Sequence, residues 1–107
     1  FMDIEVQQLP QKEIIKGFRG KFIHTETVTL AFFEVEKGAA LPLHSHIHEQ
    51  VTQVLEGQFQ LTVGDETKVY EKGQVVIIPS NVPHGGVALT TCKIFDIFTP
   101  VREDYKF

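Results

Sequence analysis

Gln58-Phe59-Gln60-Leu61-Thr62-Val63, then Gly64-Asp65, then Glu66-Thr67-Lys68-Val69-Tyr70, is the stretch on which the fold turns. Apolar side chains at 59, 61 and 63 alternate with polar ones at 58, 60 and 62, and a period of two sets the two classes on opposite faces of a strand. Gly64-Asp65 tolerates the positive φ of a tight turn, so residues 58–63 and 67–70 predict a β-hairpin with one wetted face. Outward from it the same grammar repeats. Thr27 to Glu36, Val51 to Leu55, Val75 to Ile78 and Cys92 to Phe98 are rich in β-branched and aromatic residues. Lys37-Gly38, Gly57, Lys72-Gly73, Pro79-Ser80-Asn81 and Thr99-Pro100 punctuate them. Only Gln11 to Lys16, just after Pro10, reads as a weak helical turn. Short strands, regular turns and almost no helix predict an all-β antiparallel sandwich or barrel.

The bulk properties narrow the field. A chain of 107 residues has room for one modest core. Phe1 ahead of Met2 reads as an addition to a natural start, so the expected domain is 2–107. The net charge of −4 argues against a nucleic-acid surface, which needs clustered Lys and Arg. No apolar run approaches the roughly 20 residues of a membrane helix, and no secretory leader is evident. Lone Cys92 has no internal disulfide partner, in keeping with a reducing cytoplasm.

Against this background the histidines stand out. His44, His46 and His84, with Gln50, each offer a neutral lone pair to a divalent cation. His44 and His46 are two apart and share a face if extended. An unbroken strand would separate His44 from Gln50 by roughly 20 Å at about 3.3 Å per residue, so the chain must reverse between His46 and Gln50. That leaves His48 and Glu49 near a bend, with His48 a bystander. His84 lies 38 residues beyond His46 and must be delivered by the fold. Ni, Zn, Mn, Fe and Co all suit such donors.

Two spaced motifs carry a resemblance. Gly38, five residues, His44-x-His46, three residues, Gln50, six residues, Gly57 resembles the first motif of the cupin superfamily; Gly73, five residues, Pro79, four residues, His84 resembles the second. The resemblance implies a single-domain cupin, a jelly-roll or double-stranded β-helix barrel, with a divalent transition metal on His44, His46, Gln50 and His84. Gln50 stands where the common pattern has Glu, Asn81 where it often has Gly, and Ala88 where it often has Asn. Neutral Gln leaves a site of about +2 with a divalent ion, where Glu would leave about +1, favouring Lewis-acid over redox chemistry. The run His44-Ser45-His46-Ile47-His48-Glu49-Gln50, the segment Ile78 to Gly85 and the tail Asp96 to Tyr105 are similar to the small pectin-degradation cupins of the KdgF type. That likeness implies an enzyme converting 4,5-unsaturated uronates to linear 4-deoxy-5-keto uronates, with Asp96, Phe98 and Arg102 around the substrate.

The residues themselves speak to those roles. Cys92, Ile94, Asp96 and Phe98 share one face of their strand, and Lys93, Phe95 and Ile97 the other. With the first face inward, Asp96 is a carboxylate in an apolar lining, either with a raised pKa suited to proton transfer or tied to Arg102 or backbone amides. Arg102 is either a fork for a substrate carboxylate or an ion-pair partner of Glu103 or Asp104. Phe98 reads as a pocket wall, Cys92 as a small buried hydrophobe and His24 as an ordinary strand residue. Outward Phe95 and Ile97, with adjacent Phe32 and Phe33 unable to share a face, predict a homodimer that covers one sheet. Two other functions remain open, a cupin dioxygenase or other oxidoreductase and a non-catalytic sugar-acid binder.

Overall fold

The computed structural model describes residues 1–107 and places ten strands in two antiparallel sheets. In chain order these are β1 (Lys12–Ile15), β2 (Phe18–His24), β3 (Thr29–Val35), β4 (Ala40–His44), β5 (Glu49–Glu56), β6 (Phe59–Val63), β7 (Glu66–Tyr70), β8 (Val75–Ile78), β9 (His84–Ala88) and β10 (Cys92–Thr99). One sheet runs β1-β2-β3-β10-β5-β8 and the other β4-β9-β6-β7. The hairpin expected at 58–70 is β6–β7, in register from Phe59↔Tyr70 to Val63↔Glu66, with Gly64 at φ +61° in the turn.

Alternation decides what each strand buries. On β3, Thr29, Ala31, Phe33 and Val35 point inward; on β10, Cys92, Ile94, Asp96 and Phe98 do; on β5, Gln50, Thr52 and Val54 do. Phe59 and Leu61 come from the opposite sheet to close the core between the layers. A single core therefore serves the whole chain, as the length requires. Phe18 meets Phe59 edge to face at 6.2 Å, bridging the two sheets.

The chain departs from the sequence expectation at Gln11 to Lys16. No helical turn forms there; Lys12–Ile15 is strand β1, paired with β2. Ile14 and Ile15 prefer extended backbone, and Gly17 at φ +83° lets the chain fold back at once. The backbone N–H of Gly17 donates to the Glu13 carboxylate at 3.0 Å, pinning the turn. The only helical turns are short 3-10 segments at Val6–Gln8 and Glu103–Tyr105.

Candidate metal centre and cavity

The donors arrive from three places. β4 ends at His44, and the chain bends at Ile47 and His48 before β5 begins at Glu49. The reversal between His46 and Gln50 is thus present, and His46 sits beyond the strand end, so the bend, not strand alternation, turns it toward His44. β9 pairs with β4 with His84 opposite His44. The ring centroids are 4.3 Å apart for His44 and His84, 4.8 Å for His46 and His84, and 5.6 Å for His44 and His46.

Each imidazole is oriented the same way. Nδ1 of His44 lies 2.9 Å from the Pro42 carbonyl, that of His46 3.0 Å from the His48 carbonyl, and that of His84 2.9 Å from the Val82 carbonyl. A carbonyl only accepts, so in all three rings Nδ1 carries the hydrogen and Nε2 keeps a bare lone pair. One ligand atom from each ring falls within 4.8 Å of the others. His84 Nε2 is buried with no hydrogen-bond partner. Burial, the Arg102 charge and His84 push the His46 pKa down to about 4, and burial pushes that of His84 down as well. Both rings are neutral near pH 7, the form that binds metal.

Gln50 completes the set. Its Oε1 faces His46 Nε2 at 3.1 Å, two acceptors set against each other. That contact is unfavourable alone and natural when both face one cation. Three bare lone pairs, one of them on an orphaned buried nitrogen, and an amide oxygen aimed at the same spot fit a divalent transition metal, with the hydrogen-bonded Nδ1 atoms holding the rings in place. His48 stays outside the cluster. Its ring stands against Phe98 with centroids 6.4 Å apart, and its contribution is the carbonyl that fixes His46.

Behind the donors lies a cavity of ≈ 60 Å³, lined by His44, Gln50, His84, Asp96, Phe98 and Arg102 among others. At about 10–15 Å³ per water it has room for a few solvent molecules or one small ligand. Asp96 is 6% exposed, opposite Thr52 and Ala31 in the sheet. Burial raises its pKa to about 7 against the hydrogen bonds from Thr52 and Gln50 and the Arg102 charge. Its carboxylate is bound to Thr52, by a hydroxyl 2.7 Å from Oδ1, and not to Arg102 or backbone amides.

Arg102 lies at the cavity edge with its guanidinium sandwiched between Phe98 and Tyr105, at 4.7 and 4.1 Å from the ring centroids. Its Nε and Nη2 both donate to Asp104, at 2.9 and 2.7 Å, which keeps the Asp104 carboxyl below its usual range. The pairing with Asp104 is present, yet it belongs to a side chain only 9% exposed. Nη1 takes no part in that pairing.

Three participants escape a reading of the sequence. Tyr105 lines the cavity and fixes the Arg102 plane. Thr52 has parity as its only signal, lying between Gln50 and Val54 on the inward face of β5. His24 ties down the C-terminal segment: Nε2–H donates to the Tyr105 carbonyl at 3.1 Å, and Nδ1 accepts from the Thr29 hydroxyl at 2.9 Å, which also accepts the Arg102 N–H at 2.9 Å.

Comparisons with known proteins identify the family. Residues 31–98 match the cupin domain family model, a span that holds all four candidate ligands and Asp96. The pectin degradation protein KdgF of Dickeya dadantii (strain 3937) is 29% identical over 98% of this chain and 96% of its own length. An RmlC-like cupin from Shewanella frigidimarina superposes with a TM-score of 0.88 at 31% identity, covering 92% of this chain and 90% of that one. KdgF from Halomonas sp. superposes with a TM-score of 0.86 at 26% identity, covering 92% of each. Two packed antiparallel sheets, a histidine cluster at the mouth between them and a family match across nearly two-thirds of the sequence make this chain a member of the cupin domain family.

Proposed function

We propose that this cupin converts 4,5-unsaturated uronates, the sugars left by polysaccharide lyases, to linear 4-deoxy-5-keto uronates. The observation that carries the proposal is the pairing, in one small cavity, of a cation site without an anionic ligand and a buried carboxylate whose pKa is about 7. The likeness to two KdgF proteins supports it.

A divalent cation bound by His44, His46, Gln50 and His84 supplies Lewis acidity at the sugar oxygens. Asp96 handles the proton. Opening of the hemiacetal ring leaves the C5 oxygen as an enol; C4 must gain a proton and the C5 hydroxyl must lose one, with no net change in composition. A carboxyl group with a pKa near the working pH both gives and recovers a proton with small loss in either direction. Arg102 binds the C6 carboxylate through Nη1, its plane held by Phe98 and Tyr105. Phe98 forms the apolar wall that keeps the sugar against Asp96.

The test is loss of the conjugated ultraviolet band of lyase-generated unsaturated galacturonate. The protein loaded with Ni²⁺, Zn²⁺, Mn²⁺, Co²⁺ or Fe²⁺ accelerates that loss over the spontaneous rate, and Asp96→Ala lowers the rate constant by about 100-fold or more, the usual range for a general acid–base. Oxygen uptake during the reaction would favour an oxidoreductase instead. Tight binding of the uronate without change would reduce the site to a receptor.

A further inference from the structure

Three polar side chains form a row on the cavity wall: Gln50 and Thr52 on the inward face of β5, and Asp96 on β10 directly opposite Thr52. They are 7%, 5% and 6% exposed, so water satisfies almost none of their hydrogen-bonding capacity. A carboxylate only accepts, and Thr52 Oγ1 lies 2.7 Å from Asp96 Oδ1, so the hydroxyl gives its single hydrogen there. Thr52 is left able only to accept, and the atom 2.9 Å away on its other side is Gln50 Nε2. The amide is thereby locked with Nε2 toward Thr52 and Oε1 toward His46 Nε2, at 3.1 Å.

We propose that Thr52 is a positioning residue which, by donating to Asp96, fixes the Gln50 amide with its oxygen facing the cation and makes an amide, rather than a carboxylate, the required group at position 50. A Glu there sets an oxygen where Nε2 now stands, lone pair against lone pair, unless Thr52 abandons Asp96. The side chain that withholds negative charge from the metal is thus chosen by a partner outside the ligand set. Of the molecules the fold accommodates, this selects substrates that bring their own negative charge to the cation, as a sugar acid does. The inference rests on the metal-site reading given under Proposed function.

The test compares parent, Thr52→Val, Thr52→Ser, Gln50→Glu and the Thr52→Val/Gln50→Glu double variant at pH 8, where Asp96 is a carboxylate. Zn²⁺ affinity is read by competition with a chromophoric chelator, and coordination by the visible spectrum of the Co²⁺-loaded protein. Thr52→Val weakens Zn²⁺ binding by about tenfold or more, the usual effect of losing a group that orients a ligand, and changes the Co²⁺ spectrum. Thr52→Ser restores both. Gln50→Glu strengthens Zn²⁺ binding more in the Thr52→Val background, where the Thr52 lone pair no longer faces the new carboxylate, than in the parent; the Asp96 charge acts in both backgrounds. Thr52→Ala takes the place of Thr52→Val if the latter does not fold by circular dichroism. Parental affinity and spectrum in Thr52→Val, or an equal effect of Gln50→Glu in both backgrounds, overturns the inference while leaving the metal site intact. A parent protein that binds no Zn²⁺ overturns the metal reading and this one with it.

Discussion

Asp96 is a carboxyl group buried in the middle of a sheet with only the Thr52 hydroxyl and the Gln50 amide to hold it, and that placement costs the metal-free fold stability. Its pKa is about 7 in the folded chain, against an ordinary value of 3.8. The folded state therefore holds the proton more tightly, and stability falls as the pH rises through this interval and levels off above about 7. Asn at this position stays neutral and still accepts from Thr52. Thermal melts of chelator-treated protein from about pH 4 to 8 should show Asp96→Asn matching the parent at the acid end and exceeding it above about pH 7. A difference that does not vary with pH would contradict the burial account. A bound cation lowers the Asp96 pKa by its charge, so metal narrows the gap. His84 shows the reverse economy: its buried, unpartnered Nε2 gains a partner when an ion binds.

At the scale of elements, legibility follows side-chain chemistry more than backbone. β8 is legible to the residue and β10 nearly so, because β-branched and aromatic runs announce themselves. β4 and β9 are not legible as strands, although they carry His44 and His84. β4 is Ala-Leu-Pro-Leu-His, and Pro42 is tolerated because β4 is the edge of its sheet. β9 is His-Gly-Gly-Val-Ala, with glycines for tertiary reasons: a Cβ at Gly85 would lie 2.7 Å from the Leu41 carbonyl oxygen, and one at Gly86 2.4 Å from the Phe59 ring. No local pattern encodes such approaches, yet they are what bring His84 beside His44. The ligand set is legible because metal donors are few and their spacing is stereotyped; Thr52, His24 and Tyr105 are not, since each acts only through contacts that folding creates. His24 supplies a prediction at this scale. Its two bonds tether the segment bearing Arg102 and Tyr105, so His24→Ala should cost about 1–3 kcal/mol of stability. It should also raise KM for the uronate with Zn²⁺ affinity unchanged. A variant with parental KM would show that the tether does not place Arg102.

The whole molecule presents one apolar face that its own fold covers only in part. On the outside of the six-stranded sheet Ile23, Leu30, Ile97, Val51 and Ile77 lie in register across β2, β3, β10, β5 and β8. Phe32 and Phe95 stack beside that row with centroids 4.9 Å apart. Phe33 faces inward and Phe32 outward, as their adjacency demands. We propose that a second copy of this chain covers the stripe, by the self-complementary pairing usual for homodimers. Sedimentation equilibrium should report a dimer, and Ile77→Glu, at a side chain 64% exposed in the single chain, should give a folded monomer. A monomeric parent would contradict the assignment. No helix is long and apolar enough to cross a membrane.

β4, the bend after it, β5 and β9 deliver four uncharged donors to one point, and every functional role assigned above depends on that convergence. The most direct measurement is the metal content of the purified protein after dialysis against divalent Ni, Zn, Co, Mn or Fe, set beside His84→Ala and His46→Ala. One ion per chain in the parent and none in either variant is the predicted result. A parent that retains no ion, or variants that retain as much as the parent, would contradict it.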